Sequence, residues 1–196
     1  MQTKETMQDF VITMLKEQIP AAYTYHNYEH TLYVQGKARE LGLHEHLGKR
    51  DMDLLNTAAL WHDTGYIHTY KGHEEESCVM AKEYLPGYSY SEADIEIICG
   101  MIMATKVPQQ PHSFLENIIA DADLAYLGMI GAAEQSDKLF NELRSINPAF
   151  TKEEWNNQQI AFLKAHQFFT AFYRQKKEPV KQVYLAQIKK LMEAGK

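Results

Sequence analysis

Apolar residues recur at spacings of three and four along almost the whole chain, and no run rich in Val, Ile and Thr alternates with period two over a strand's length. A spacing of three and four gives each segment one apolar face as a helix and none as a strand, so the chain must fold by packing helices. The pattern predicts helices near residues 4–18, 28–42, 51–63, 72–85, 91–105, 113–127, 130–145, 151–174 and 179–194. Turn chemistry separates them at Pro20, Pro86-Gly87, Pro108 to Pro111, Asn147-Pro148 and Glu178-Pro179. Asp51 and Ser91 are expected N-caps, and Thr151 followed by Glu154 reads as a capping box. No repeat or low-complexity linker interrupts the pattern. The expectation is one all-α domain over residues 1–196, with a core over about 20–130 and C-terminal helices over about 130–196.

A chain of 196 residues can bury the core this requires. Its formal charge of -6 is spread along the sequence, with no cluster of Lys and Arg to suit a nucleic-acid surface or an anionic membrane. The longest apolar stretches, such as Ile97 to Ala104, fall well short of the roughly 20 residues of a membrane helix. Met1 to Phe10 carry charges and no apolar h-region, so the cytoplasm is the expected location. Cys78 and Cys99 sit in amphipathic patterns and read as reduced core thiols. Nothing in the sequence marks an oligomeric state, and a homo-oligomer stays open.

Seven of the nine histidines (His26, His30, His44, His46, His62, His68, His73) fall between residues 26 and 73. Three helices also aim ionisable groups along their apolar stripes. His30 shares a face with Val34, Ala38 and Leu41, His62 with Leu55 and Ala59, and Asp123 with Ile119, Tyr126 and Leu127. One inward histidine is usually a hydrogen-bonded core residue. An inward carboxylate is harder to accommodate, because an unpaired buried charge costs several kcal/mol. A divalent ion would satisfy His30, His62, Asp63 and Asp123 together. Two nitrogens and two oxygens without thiolate suit one ion of Mn²⁺, Fe²⁺, Ni²⁺, Zn²⁺ or Mg²⁺ and leave positions open for water, with a second ion an open alternative.

The segments Tyr25-His26-Asn27-Tyr28-Glu29-His30-Thr31, Ala59-Leu60-Trp61-His62-Asp63-Thr64-Gly65-Tyr66 and Asp121-Ala122-Asp123-Leu124 resemble the HD-domain phosphohydrolases. The resemblance covers roughly residues 20–130 and rests on the order His…His-Asp…Asp. It implies a helical bundle around a metal site with a C-terminal helical extension. It further implies hydrolysis of a phosphoester or phosphoanhydride, often in a nucleotide, with His30, His62, Asp63 and Asp123 as ligands. Asp121 is the rival to Asp123. Two residues apart on a helix, they point roughly 200° away from each other, so Asp121 suits a place behind a ligand histidine.

Other residues divide between functional and bland readings. His26 shares the His-Asn-x-x-His opening of cyclic-nucleotide phosphodiesterases, where the matching histidine protonates the leaving alcohol; alternatively Asn27 caps the helix and His26 is exposed. His73 and Glu74 are candidates for a second-metal ligand, a general base or a substrate contact, whereas Glu75 and Glu76 read as an acidic first helical turn. Lys106 is a substrate candidate against the plainer reading of a cation near a helix C-terminus. Trp155, Phe162, His166, Phe169 and Tyr173 form a stripe read as core, with His166 alternatively lining a substrate pocket. His44 and His46 read as exposed.

Metal-dependent hydrolysis of a small-molecule phosphate, a nucleotide first, is the leading expectation, with His26, Asp63, His73 and Glu74 as the catalytic candidates. A cyclic nucleotide is the alternative substrate. A helical module that keeps an ion for stability or sensing, without turnover, is the alternative from a different class.

Overall fold

The second helix shows how local chemistry sets the frame. In the computed structural model, which describes residues 6–194, Asn27 is extended and its Oδ1 accepts from the backbone N–H groups of Glu29 and His30 at 2.9 and 3.4 Å. That satisfies two donors the helix start would otherwise leave open, so α2 (Tyr28–His44) begins there. His30 therefore lies in its first turn. Elsewhere α1 spans Met7–Gln18, α3 Lys49–Trp61, α4 His73–Tyr84, α5 Glu92–Met103 and α6 Phe114–Asp123. Helices α7 (Ala132–Ile146), α8 (Lys152–Ala165), α9 (Ala171–Lys176) and α10 (Glu178–Ala194) follow. Among the described residues there is no strand, so the chain is all-α, and no helix is long and apolar enough to cross a membrane.

The helices gather into two compact units. In the first, residues 6–21 and 26–123, α2 packs on α3 and α6, and α3 and α4 pack on α5. The fully buried stripes are Val34, Ala38 and Leu41 on α2, Leu55, Ala58 and Ala59 on α3, and Ile118, Ile119 and Ala122 on α6. Their alanines let helix axes approach closely. The second unit, residues 22–25 with 124–194, joins the segment before α2 to α7: Thr24 donates to the Lys138 carbonyl at 2.7 Å, and the Tyr25 N–H donates to Glu142 Oε2 at 2.8 Å.

Ser91 with Asp94, and Thr151 with Glu154, form capping boxes at α5 and α8. Three sequence expectations shift, and one cannot be compared. Asp51 is no cap: α3 starts after Gly48, and Asp51 instead complements the dipole within the first turn. The start expected at residues 4–5 lies outside the described residues. The helix expected over 113–127 ends at Asp123 and gives way to a 3-10 turn over Ala125–Gly128. There a Cβ on Gly128 would sit 2.8 Å from Lys177 Cα, so the glycine permits a backbone approach no side chain would allow. The helix expected over 151–174 breaks at His166. The ammonium of Lys181, fully buried on α10, donates to the His166 carbonyl at 2.5 Å, and Thr170 Oγ1 accepts from Tyr173 N–H to start α9. The C-terminal aromatic stripe is thus carried on two helices and a bend. Trp155, Phe168 and Tyr173 are buried, while Phe162, His166 and Phe169 are half-buried.

Candidate metal centre

Three helix ends meet in the first unit. His30 comes from the first turn of α2, His62 directly follows α3, and Asp123 is the last residue of α6. The C-terminal ends of α3 and α6 place partial negative charge there, which favours a cation. His30 Nε2 lies 3.1 Å from Asp123 Oδ1 and 3.4 Å from Asp63 Oδ2. His62 Nε2 lies 3.2 Å from Asp63 Oδ2 and 3.7 Å from Asp123 Oδ1. Donor atoms of His30, His62 and Asp123 all fall within 4.8 Å of one another. Ligands held about 2.1 Å from one ion are separated by about 3.0 Å at right angles and about 3.4 Å in a tetrahedron, so the nitrogen–oxygen distances already match.

Hydrogen bonding tells the same story. The Nδ1–H of His62 donates to the Ala59 carbonyl at 2.8 Å, which turns Nε2 toward the carboxylates. Yet His62 Nε2 and Asp63 Oδ2 are buried and neither makes a hydrogen bond. Buried polar atoms are rarely left without a hydrogen bond, and here only ion-pair attraction offsets their desolvation. The residues fit a divalent ion.

Electrostatics keeps the carboxylates charged. Burial alone would raise Asp63, but His62 and then His30 and His26 hold it well below the usual carboxylate range. Burial is likewise outweighed at Asp123, which the hydrogen bond with His30 and the nearby imidazole of His62 pull down to about 2. His62 is lowered by burial yet raised well above 6.5 overall, by Asp63 first and then Asp123.

The HD domain family model matches residues 27–125, the stretch that carries all four of these residues. This chain belongs to the HD domain family. HD domains typically bind a divalent metal. The fold agrees: a crystal structure at 1.45 Å resolution, described as a predicted HD superfamily hydrolase from an uncultured Thermotogales bacterium, superposes with a TM-score of 0.62. It covers 95% of this chain and 92% of that one, at 18% identity. An uncharacterized protein of Clostridium beijerinckii is 38% identical over 76 residues, which are 37% of this chain and 48% of that protein. The match thus spans about half of the relative's length.

Around this HD centre the other singled-out residues take distinct places. His73 Nε2 lies 3.6 Å from Asp63 Oδ1, and its Nδ1 lies 3.5 Å from Glu74 Oε2. Burial depresses the His73 imidazole and outweighs the attraction of Asp63 and Glu74. Glu74 is buried, and Asp121 is fully buried on α6. His26 precedes the Asn27 cap, so α2 does not run through it; nor is it exposed, since its ring stacks on Tyr66 at 4.2 Å. Lys106 is an exposed ion-pair partner of Glu75. His166 belongs to the second unit, where its Nδ1 lies 3.1 Å from the Lys181 ammonium. His44 and His46 are exposed. Cys78 and Cys99 are free thiols, with Cys78 donating to the Cys99 carbonyl at 3.6 Å.

Sequence reasoning passed over Gly65 and Ser77. The Gly65 N–H donates to Ser77 Oγ at 2.8 Å, and a Cβ on Gly65 would lie 2.0 Å from the His73 carbonyl oxygen. This close approach docks the first turn of α4 onto the His-Asp turn. A glycine two residues after the pair was the available signal.

Proposed function

We propose that this protein is a metal-dependent phosphohydrolase acting on a small phosphate ester or anhydride, a nucleotide first, with cyclic nucleotides the second class to try. The observation that carries the reading is the pair of buried, hydrogen-bond-free ligand atoms, His62 Nε2 and Asp63 Oδ2, facing His30 and Asp123. His30, His62, Asp63 and Asp123 would hold the ion. Bound there, a divalent ion supplies Lewis acidity toward a phosphoryl oxygen and acidifies water. His73, kept neutral near pH 7 by burial, suits proton acceptance beside Asp63, and Glu74 next to its Nδ1 orients the ring. That leaves His26, whose ring centroid is 5.9 Å from that of His30, as the donor to the departing oxygen. Lys106 is engaged by Glu75 and has no part in this scheme.

The test is metal content and phosphate release from a panel of linear and cyclic nucleotides, with Mn²⁺, Fe²⁺, Ni²⁺, Zn²⁺ or Mg²⁺ supplied. Asp63→Ala should lose stoichiometric metal and at least about 10³-fold of turnover. A parent protein that binds metal but hydrolyses none of the panel would replace this reading with an ion-containing sensing or binding module.

A further inference from the structure

The side chain that ties the two imidazoles to the His-Asp turn is an aromatic one. Tyr66 is only 4% exposed. Its ring lies nearly parallel to both His73, at 3.8 Å and 20°, and His26, at 4.2 Å and 21°. Tyr70 closes the cluster, edge-on to Tyr66 at 5.3 Å and to His26 at 6.0 Å. The two histidines come from separate places, the loop before α2 and the first residue of α4, with ring centroids 6.1 Å apart. Tyr66 itself rides the short 3-10 turn Thr64–Ile67, and its N–H donates to the Asp63 carbonyl at 3.2 Å. One ring therefore references both imidazoles to the backbone that carries Asp63.

We propose that Tyr66 is a positioning residue that holds the ring planes of His26 and His73 in register with the Asp63 carboxylate; this rests on the phosphohydrolase reading. An aliphatic side chain of similar volume would fill the space and leave the imidazoles free to tilt, because only a flat surface fixes the plane of a stacked ring. Misplacement of a proton-transfer group by about 1 Å is enough to cost about 10²-fold in rate. Both stacks are made by the Tyr66 ring, which phenylalanine would also supply.

Tyr66→Phe, Tyr66→Leu and Tyr66→Met are compared with the parent on p-nitrophenyl phosphate and on the best nucleotide found. The expected result is a kcat near the parent's for Tyr66→Phe and a loss of about 10²-fold for the aliphatic variants. KM and bound metal should stay within about twofold of the parent. A merely structural role would instead move KM, metal content and thermal midpoint together. Tyr66→Met, which fills irregular space without branching, stands in if Tyr66→Leu does not fold. Equal kcat in a folded aliphatic variant overturns the proposal. So does the absence, in the zinc-loaded parent, of nuclear Overhauser contacts from the Tyr66 ring to both imidazoles, a readout that needs no turnover. A parent that shows those contacts and hydrolyses nothing fails the phosphohydrolase reading instead.

Discussion

His62 is where burial and charge oppose each other most directly. Without an ion, its imidazolium stabilises the carboxylates of Asp63 and Asp123; with one, the same nitrogen must be unprotonated to ligate. Because its value in the folded protein is raised above 6.5, its stabilising effect is fully present below that pH and lost as pH rises through the raised value. Asp123 works oppositely. Its value falls from 3.8 to about 2, so its contribution is present above 3.8 and lost as pH falls through about 2. Both operate fully only between 3.8 and 6.5. The metal-free protein should therefore resist urea best in that window and weaken toward alkaline pH. Urea midpoints of chelator-treated protein at about pH 5.5 and about pH 9 check this. A midpoint that climbs above neutrality would refute it. Loading Mn²⁺ near pH 7 should release protons, measurable by calorimetry in buffers of different ionisation enthalpy.

At the scale of elements, the turn between α3 and α4 does most to shape the site. Asp63, Gly65 and Tyr66 occupy five consecutive positions with Thr64 and His62, and α4 docks onto that turn through Ser77 and the His73 carbonyl. Gly65→Ala would push a methyl group to 2.0 Å from a backbone oxygen, which cannot swing aside as a side-chain end would. We expect a loss of about 1–3 kcal/mol in urea unfolding, the usual range for overpacking a tight interior. An unchanged midpoint would show that the approach is looser than it stands here. At the start of α4, Gly72 has φ +79, a left-handed conformation natural to glycine, and Glu74, Glu75 and Glu76 face the positive end of the helix dipole.

For the whole molecule, ion binding should act as a clamp on three helices distant in sequence. Any ligand that binds only the folded state stabilises it by mass action, about 2.7 kcal/mol at a hundredfold excess over Kd. Chelation should therefore lower the melting temperature, and restoring metal should recover it. Hydrogen exchange adds the location: protection gained with metal should concentrate in α2, the end of α3 and the end of α6, where His30, His62, Asp63 and Asp123 sit. Protection gained evenly across α7 to α10 as well would mean that the ion acts through global stability rather than on those helices.

Helical spacing and the prolines determined an all-α chain, and capping at Ser91 and Thr151 followed from side chains a few residues apart. The inward direction of His30 and His62 was legible too, because a helix turns position into direction. For Asp123 only the Ile119 side of that reading holds, since α6 ends there and Tyr126 and Leu127 lie on the following 3-10 turn. Other features were settled only by tertiary contacts. The break at His166 depends on a buried lysine from another helix, and Lys106 is taken up by Glu75, 31 positions away. The stacking of Tyr66 on His26 and His73 joins three segments whose spacing in the chain says nothing of distance in space. Local periodicity reports which way a side chain points. Only the packed fold decides what it meets.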